Sequence, residues 1–119
     1  MKTRQKEAGF QVLVGAAQKL EPSLQVGAIG AILGFACPAP TACYEIYAAW
    51  KEGDHELAKL KQTKIAKAAQ QIVGDFGIPA TKYAMDLNGY YGGLPRLPLL
   101  PVTADVKLGV ENLMADIRN

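Results

Sequence analysis

Between Glu21 and Glu45 the chain carries no charged residue, and this gap constrains the fold more than any other feature. A stretch without charge has no natural wet side, so it belongs in a core, in a bilayer or against another chain. Gly30-x-x-x-Gly34 matches the small-residue pattern of packed membrane helices. However, Pro22, Pro38 and Pro40 bracket the gap and leave fewer apolar residues than the ~20 that a spanning helix needs. A strand buried on both faces accounts for the same composition, and no membrane is expected.

Around that gap the residues read as strand, helix, strand. Gln11 to Val14 is a short β-like run that Gly15 stops. Pro22 suits a first helical turn with Leu20, Leu24 and Val26 on its apolar side, and Gly27 and Gly30 end it. Ala31 to Ala36 is a continuous apolar run of strand length, closed by Pro38 and Pro40. This βαβ unit is the element from which parallel barrels are made.

The remainder predicts helices. Thr41 is the expected N-cap of a helix through Trp50 that stops at Gly53. Asp54 caps the next, where Leu57, Leu60, Ile65, Ala68, Ile72 and Phe76 recur at helical spacing and Gly74 or Gly77 ends the run. Lys59, Lys64 and Lys67 mark its wet side. Pro79 opens a helix that Asn88-Gly89 stops, and residues 89–101 form an irregular connector. Thr103 caps a final helix through Val106, Val110, Leu113, Met114 and Ile117.

Of the 119 residues half are apolar and a fifth charged, which argues against disorder and for a single unit with a modest core. A net charge of +2 is too small to point to nucleic acid. Cys37 and Cys43 with one histidine offer neither a zinc site nor a disulfide framework, so no metal or cofactor is expected and a reduced, cytoplasmic setting is.

Phe10-Gln-Val-Leu-Val-Gly15, Gly30-Ala-Ile-Leu-Gly34, Gly77-Ile-Pro79 and Arg96-Leu-Pro-Leu99, in this order and spacing, resemble the C-terminal part of the dihydrodipicolinate synthase/N-acetylneuraminate lyase family. Phe76-Gly-Ile-Pro79 and Gly89-Tyr-Tyr-Gly-Gly93 look most like its 4-hydroxy-2-oxoglutarate aldolase branch. The resemblance implies a (β/α)8 barrel followed by a helical region. Residues 11–14 then resemble the seventh strand and 30–36 the eighth. The fold class expected is mainly α with a short βαβ remnant: 1–53 an incomplete barrel, 54–119 the C-terminal helical region. The strands of such a remnant could also give way to helix.

Family enzymes are class I aldolases and lyases, in which a lysine of the sixth strand forms a Schiff base with pyruvate or another 2-oxo acid. On this pattern that lysine would lie upstream of Met1, so the resemblance implies no lyase activity for the chain alone. Two substrate-side positions carry over: Gly15, closing the seventh strand, and Ile32, whose backbone would lie against the oxo acid. Glycine after a strand and isoleucine within one are ordinarily turn and core. Ala16-Ala17 and Cys37 replace polar residues common in the family, which makes this rim drier.

Other chemistry-bearing residues read as structural. Lys82 matches a lysine of the family's C-terminal helices, expected as a partly buried stem with its charge outside or paired, and Tyr83 diverges from it by about 100° on a helix. His55 is expected in solvent, Glu45 and Glu52 on a wet helix face, and Cys43 in the core beside Ile46 and Tyr47. Tyr90-Tyr91 is expected to pack its loop on the helices. Two strands cut from a barrel expose edges and an apolar face. A homo-oligomer through residues 11–36 is therefore expected. A complementing barrel chain that completes a split lyase, and a protein-binding module, are the alternatives.

Overall fold

A two-stranded parallel sheet survives at the centre of an otherwise helical chain. The computed structural model describes residues 2–117, with side chains placed from Gln5 onward. β1 (Leu13–Val14) pairs with β2 (Gly30–Ala31), with Leu13 opposite Gly30 and Val14 opposite Ala31. Between them a short 3-10 turn at Ala17–Lys19 leads into α2 (Leu20–Gln25). The short helix α1 (Lys2–Ala8) precedes β1 where the sequence reads only as polar. From α1, Gln5 reaches the lower end of the sheet: its Oε1 accepts the Val12 N–H at 2.6 Å and its Nε2 donates to the Gly27 carbonyl at 2.8 Å.

The expected strand over Ala31–Ala36 is shorter than the apolar run. Leu33 is still extended, but Gly34–Ala36 closes into a 3-10 turn. Its amides turn back on local carbonyls: Ala36 N–H on Leu33, Cys37 N–H on Gly34, Ala39 N–H on Phe35. β1 has ended by then, so no ladder remains to hold an extended chain. The run is apolar because the turn drops Phe35 into the core at 1 % exposure, not because six residues pair as a strand.

α3 (Pro40–Lys51) starts two residues earlier than expected. Ala39 is its N-cap and Pro40 sits in the first turn, where its fixed φ fits; Thr41 lies inside the helix and caps nothing. α4 (His55–Ala69) is capped as expected, with Asp54 Oδ1 accepting the Leu57 N–H at 3.2 Å. Its continuation, Gln70–Phe76, widens into a π-helix that Gly74 does not interrupt. Gly77 ends it at φ 84°, its N–H donating to the Ile72 carbonyl at 2.9 Å. α5 (Ile78–Leu87) carries Pro79 in its first turn and stops at Asn88. α6 (Ala104–Met114) begins at Thr103, whose hydroxyl accepts the Val106 N–H at 3.4 Å.

The core lies between the sheet and these helices. Leu20, Phe35, Ile46, Ile65, Ile72 and Met114 are fully buried in one cluster, onto which Val14, Ala31 and Leu33 pack. Gln62 of α4 ties the helical layer to the sheet connection, accepting the Glu21 N–H at 2.7 Å and donating to the Ala17 carbonyl at 2.9 Å. Asn88 does the same at the far end, donating to the Pro38 carbonyl at 2.6 Å. Among the described residues no helix is long and apolar enough to cross a membrane.

Candidate functional site

The two strands present opposite faces to different surroundings. Val14, Ala31 and Leu33 point into the core, so by pleat alternation Leu13, Gly15, Gly30 and Ile32 point away from it. Leu13 is 50 % and Ile32 76 % exposed. Ile32 N–H donates to the Val14 carbonyl at 3.0 Å, which continues the register one step and sets Ile32 beside Gly15. The two positions expected on the substrate side are thus neighbours at the C-terminal ends of parallel strands, the end at which barrels collect their active-site residues. The order of large and small residues reverses between the strands, leucine over glycine on one and glycine over isoleucine on the other.

None of the four residues that form this face, Leu13, Gly15, Gly30 and Ile32, carries a titratable or nucleophilic group. Three lysines are engaged elsewhere. Lys61 Nζ pairs with Glu45 at 2.6 Å, Lys82 Nζ donates to the Gly92 carbonyl at 3.0 Å, and Lys107 stands 5.5 Å from the centre of the Tyr83 ring. Tyr83 donates to Glu111 Oε1 at 2.7 Å, so Lys82 and Tyr83 address different partners, as their helical divergence requires. Glu45 is tied to α4 while Glu52 is exposed, and they form no acid pair. His55 is exposed but stacks on Trp50, ring centres 3.9 Å apart. Tyr91 corrects its expectation: it stands 86 % exposed rather than packing its loop down.

Behind the open edge of β2 lies an apolar cleft of about 340 Å³ lined by Ala31, Leu33, Ala36, Cys43, Tyr44 and Tyr47. Burial pushes the Cys43 thiol up to about 11, so near neutral pH it is an inert core group and no nucleophile. A second cleft of about 240 Å³ lies between α3 and α4, where Lys61 and Glu45 neutralise one another beside Lys64 and Asp116. Among the described residues no cluster of His, Cys, Asp or Glu could hold a metal ion.

Leu13 and Gly30 are the members of the open face that the sequence did not single out. Their signal was there in two tripeptides of opposite order, Leu13-x-Gly15 and Gly30-x-Ile32, once both lay on strands.

Comparison with known proteins points in one direction. The family model described as the dihydrodipicolinate synthetase family matches residues 1–117. The chain is 30% identical over 105 residues to an uncharacterized DapA-like lyase of Halobacterium salinarum, covering 88% of this chain and 34% of that protein. It is 29% identical over 110 residues to a 4-hydroxy-tetrahydrodipicolinate synthase of Acidiphilium cryptum, covering 92% and 38%. The native structure of the N-acetylneuraminate lyase from Aliivibrio salmonicida superposes on it with a TM-score of 0.77 at 33% identity, covering 92% of this chain and 37% of the other. The chain therefore spans between a third and two fifths of the length of these relatives.

Proposed function

The chain belongs to the dihydrodipicolinate synthetase family, and from that premise we propose that it is the barrel-closing and helical part of a Schiff-base lyase scaffold, without lyase activity by itself. One observation carries this reading: the open face at the strand ends, formed by Leu13, Gly15, Gly30 and Ile32, bears no amine. Schiff-base chemistry on a 2-oxo acid needs a lysine that can shed its proton next to the bound carbonyl, in a site closed to water. Two strand ends out in solvent supply neither the amine nor the enclosure.

A second reading is favoured by Gly15 and Ile32 standing side by side. If strands from another polypeptide complete the barrel, these positions form the wall against which the oxo acid lies, and the chain is one part of a split lyase. The aldolase-branch assignment rests on Phe76–Pro79 and Gly89–Gly93 and belongs to the same proposal. So does association through residues 11–36, which the exposure of Leu13, Val26, Ile29 and Ile32 supports. The two free thiols fit a reduced, cytoplasmic setting.

Trapping with pyruvate and borohydride, read by intact mass, tests the central reading. No adduct above background is expected on the chain alone. A single stoichiometric adduct, located on one lysine by peptide mapping, would overturn it.

A further inference from the structure

The connections at the C-terminal ends of both strands are held from the helical region, largely by side-chain amides. After β1 the chain turns at Ala17–Lys19 into α2, and α2 has no cap of its own: Lys19 stands at its N-cap position and makes no side-chain hydrogen bond there. First-turn amides of a helix lack partners within it. Pro22 has no N–H to leave unpaired, and the Glu21 N–H goes to Gln62 Oε1 of α4, 41 residues along the chain. The same side chain donates from Nε2 to the Ala17 carbonyl, which also accepts the Leu20 N–H. Gln62 thus closes both ends of the turn that follows Gly15. Both of its bonds are buried, so losing either leaves a backbone group unpaired away from water.

A second contact on this connection is exposed. Gln18 Nε2 donates to Gln70 Oε1 at 2.9 Å, where α4 gives way to the π-helix. The connection after β2 is met by other residues. Val73 of the π-helix lies against Gly34, where a Cβ would touch its Cγ1 at 3.4 Å, and Asn88 at the end of α5 donates to the Pro38 carbonyl. All of these side chains are neutral amides or apolar groups, with no charge to gain or lose near neutral pH.

We propose that Gln62 is a positioning residue: from α4 it sets the connection after β1, and with it the place of Gly15 on the substrate side. The inference rests on the reading that Gly15 and Ile32 line the oxo acid in a completed barrel, and names what in this chain holds that wall. Placement of this kind matters, because a misplacement of about 1 Å costs on the order of 100-fold in rate. The helical region then acts through the strand ends rather than on the substrate. Gln62 is the choice over Gln70 because it takes two backbone partners at once and both bonds are buried, whereas the Gln18–Gln70 bond lies in solvent.

Nitrogen-15 relaxation NMR of the intact chain tests this, comparing the wild type with Gln62→Met, Gln62→Glu and Asn88→Ala at one concentration. In the wild type, residues 15–21 should be as rigid as α4, with order parameters near about 0.85. Gln62→Met keeps the reach of the side chain and removes both bonds. Order at 15–21 should then fall below about 0.6 while α4 and α5 stay rigid. Asn88→Ala should move the resonances of 34–38 and leave 15–21 alone. Gln62→Glu supplies a readout that packing alone does not move. Its carboxyl offers an acceptor and an O–H donor when protonated, but only acceptors when ionised. In this variant residues 15–21 should be ordered at pH about 4 and loosened at pH about 7, whereas the wild type should be ordered at both. Unchanged order at 15–21 in Gln62→Met would overturn the inference. Equal loosening of 15–21 and α4 would overturn it too, because Gln62 would then be a general support of the core. Should Gln62→Met fail to fold, Gln62→Glu decides, and the same order at both pH values would overturn the inference. A lysine adduct in the borohydride trap would overturn the proposed function and leave the hold of Gln62 on its connection standing.

Discussion

The helical layer from Pro40 to Met114 is amphipathic, whereas the strand pair at Leu13–Ala31 lies in uncharged sequence, and the two finish differently. In the helical layer one stripe of large side chains is sealed within the chain, with Ile46, Ile65, Ile72 and Met114 all at or below 1 % exposure, while Leu60, Ile78 and Leu108 on the outer side of the same helices stay exposed. In the strand pair only one face is sealed, and Leu13 and Ile32 stand in solvent. A helix satisfies its backbone internally and needs a partner along one stripe only. A strand needs a neighbour at each edge and a cover on each face, and two strands cannot give each other all of these. The comparison shows which region of the described chain closes on itself and which leaves a face exposed.

Substitutions can break this contrast. The largest effect is expected in the helical layer, where Ile72→Ala should cost about 2–5 kcal/mol through lost burial and a residual cavity. Urea unfolding measures it, and a loss below 1 kcal/mol would mean that this core is loosely packed. Gly92→Ala comes next. A Cβ at Gly92 would fall on the Lys82 carbonyl, so the loop must shift and give up the bonds from Lys82 Nζ to the Gly92 carbonyl and from the Gly92 N–H to Asp86. A loss of about 2–4 kcal/mol is expected, read by the same unfolding curve.

Smaller still is a pH effect at Cys43. Its thiol is raised to about 11 by burial, so between the unfolded thiol value and 11 the folded state holds a proton that the unfolded state has released. Stability should be level below that window and fall as pH rises through it, by about 1.4 kcal/mol per unit and roughly 2–3 kcal/mol in all. Comparing urea midpoints of wild type and Cys43→Ala from pH 8 to 11 isolates this slope, which the variant should lack. The smallest effect has the opposite sign. Gly15→Ala meets open space and needs no left-handed backbone, so in dilute solution it should be neutral or stabilise the fold by up to roughly 1 kcal/mol. The same chemical change thus damages one region and spares the other.

How much of this was legible in the sequence follows the same division. Asp54, Pro79, Asn88-Gly89 and Thr103 marked their helix ends correctly, because caps and breakers act within a few residues. Thr41 misled because Pro40 took the first turn, and local rules allow either start. The run 31–36 misled for a different reason. Whether an apolar stretch stays extended depends on a neighbour to pair with, and that neighbour is not coded in the stretch. The π-helical turn at Gln70–Phe76 has no signature in the apolar spacing. Of the open face, Gly15 and Ile32 were reached through family resemblance, whereas Leu13 and Gly30 needed the strand register.

Hydrogen exchange of the intact chain at two concentrations tests most directly whether the sheet is unfinished while the helices are complete. Amides of α4, α5 and the second half of α6 should be the slowest to exchange, and their rates should not depend on concentration. Amides of residues 10–36 should exchange early in dilute solution and slow down as concentration rises. Equal, concentration-independent protection of residues 10–36 and α4 would contradict the account, because the strand pair would then be a finished part of the fold.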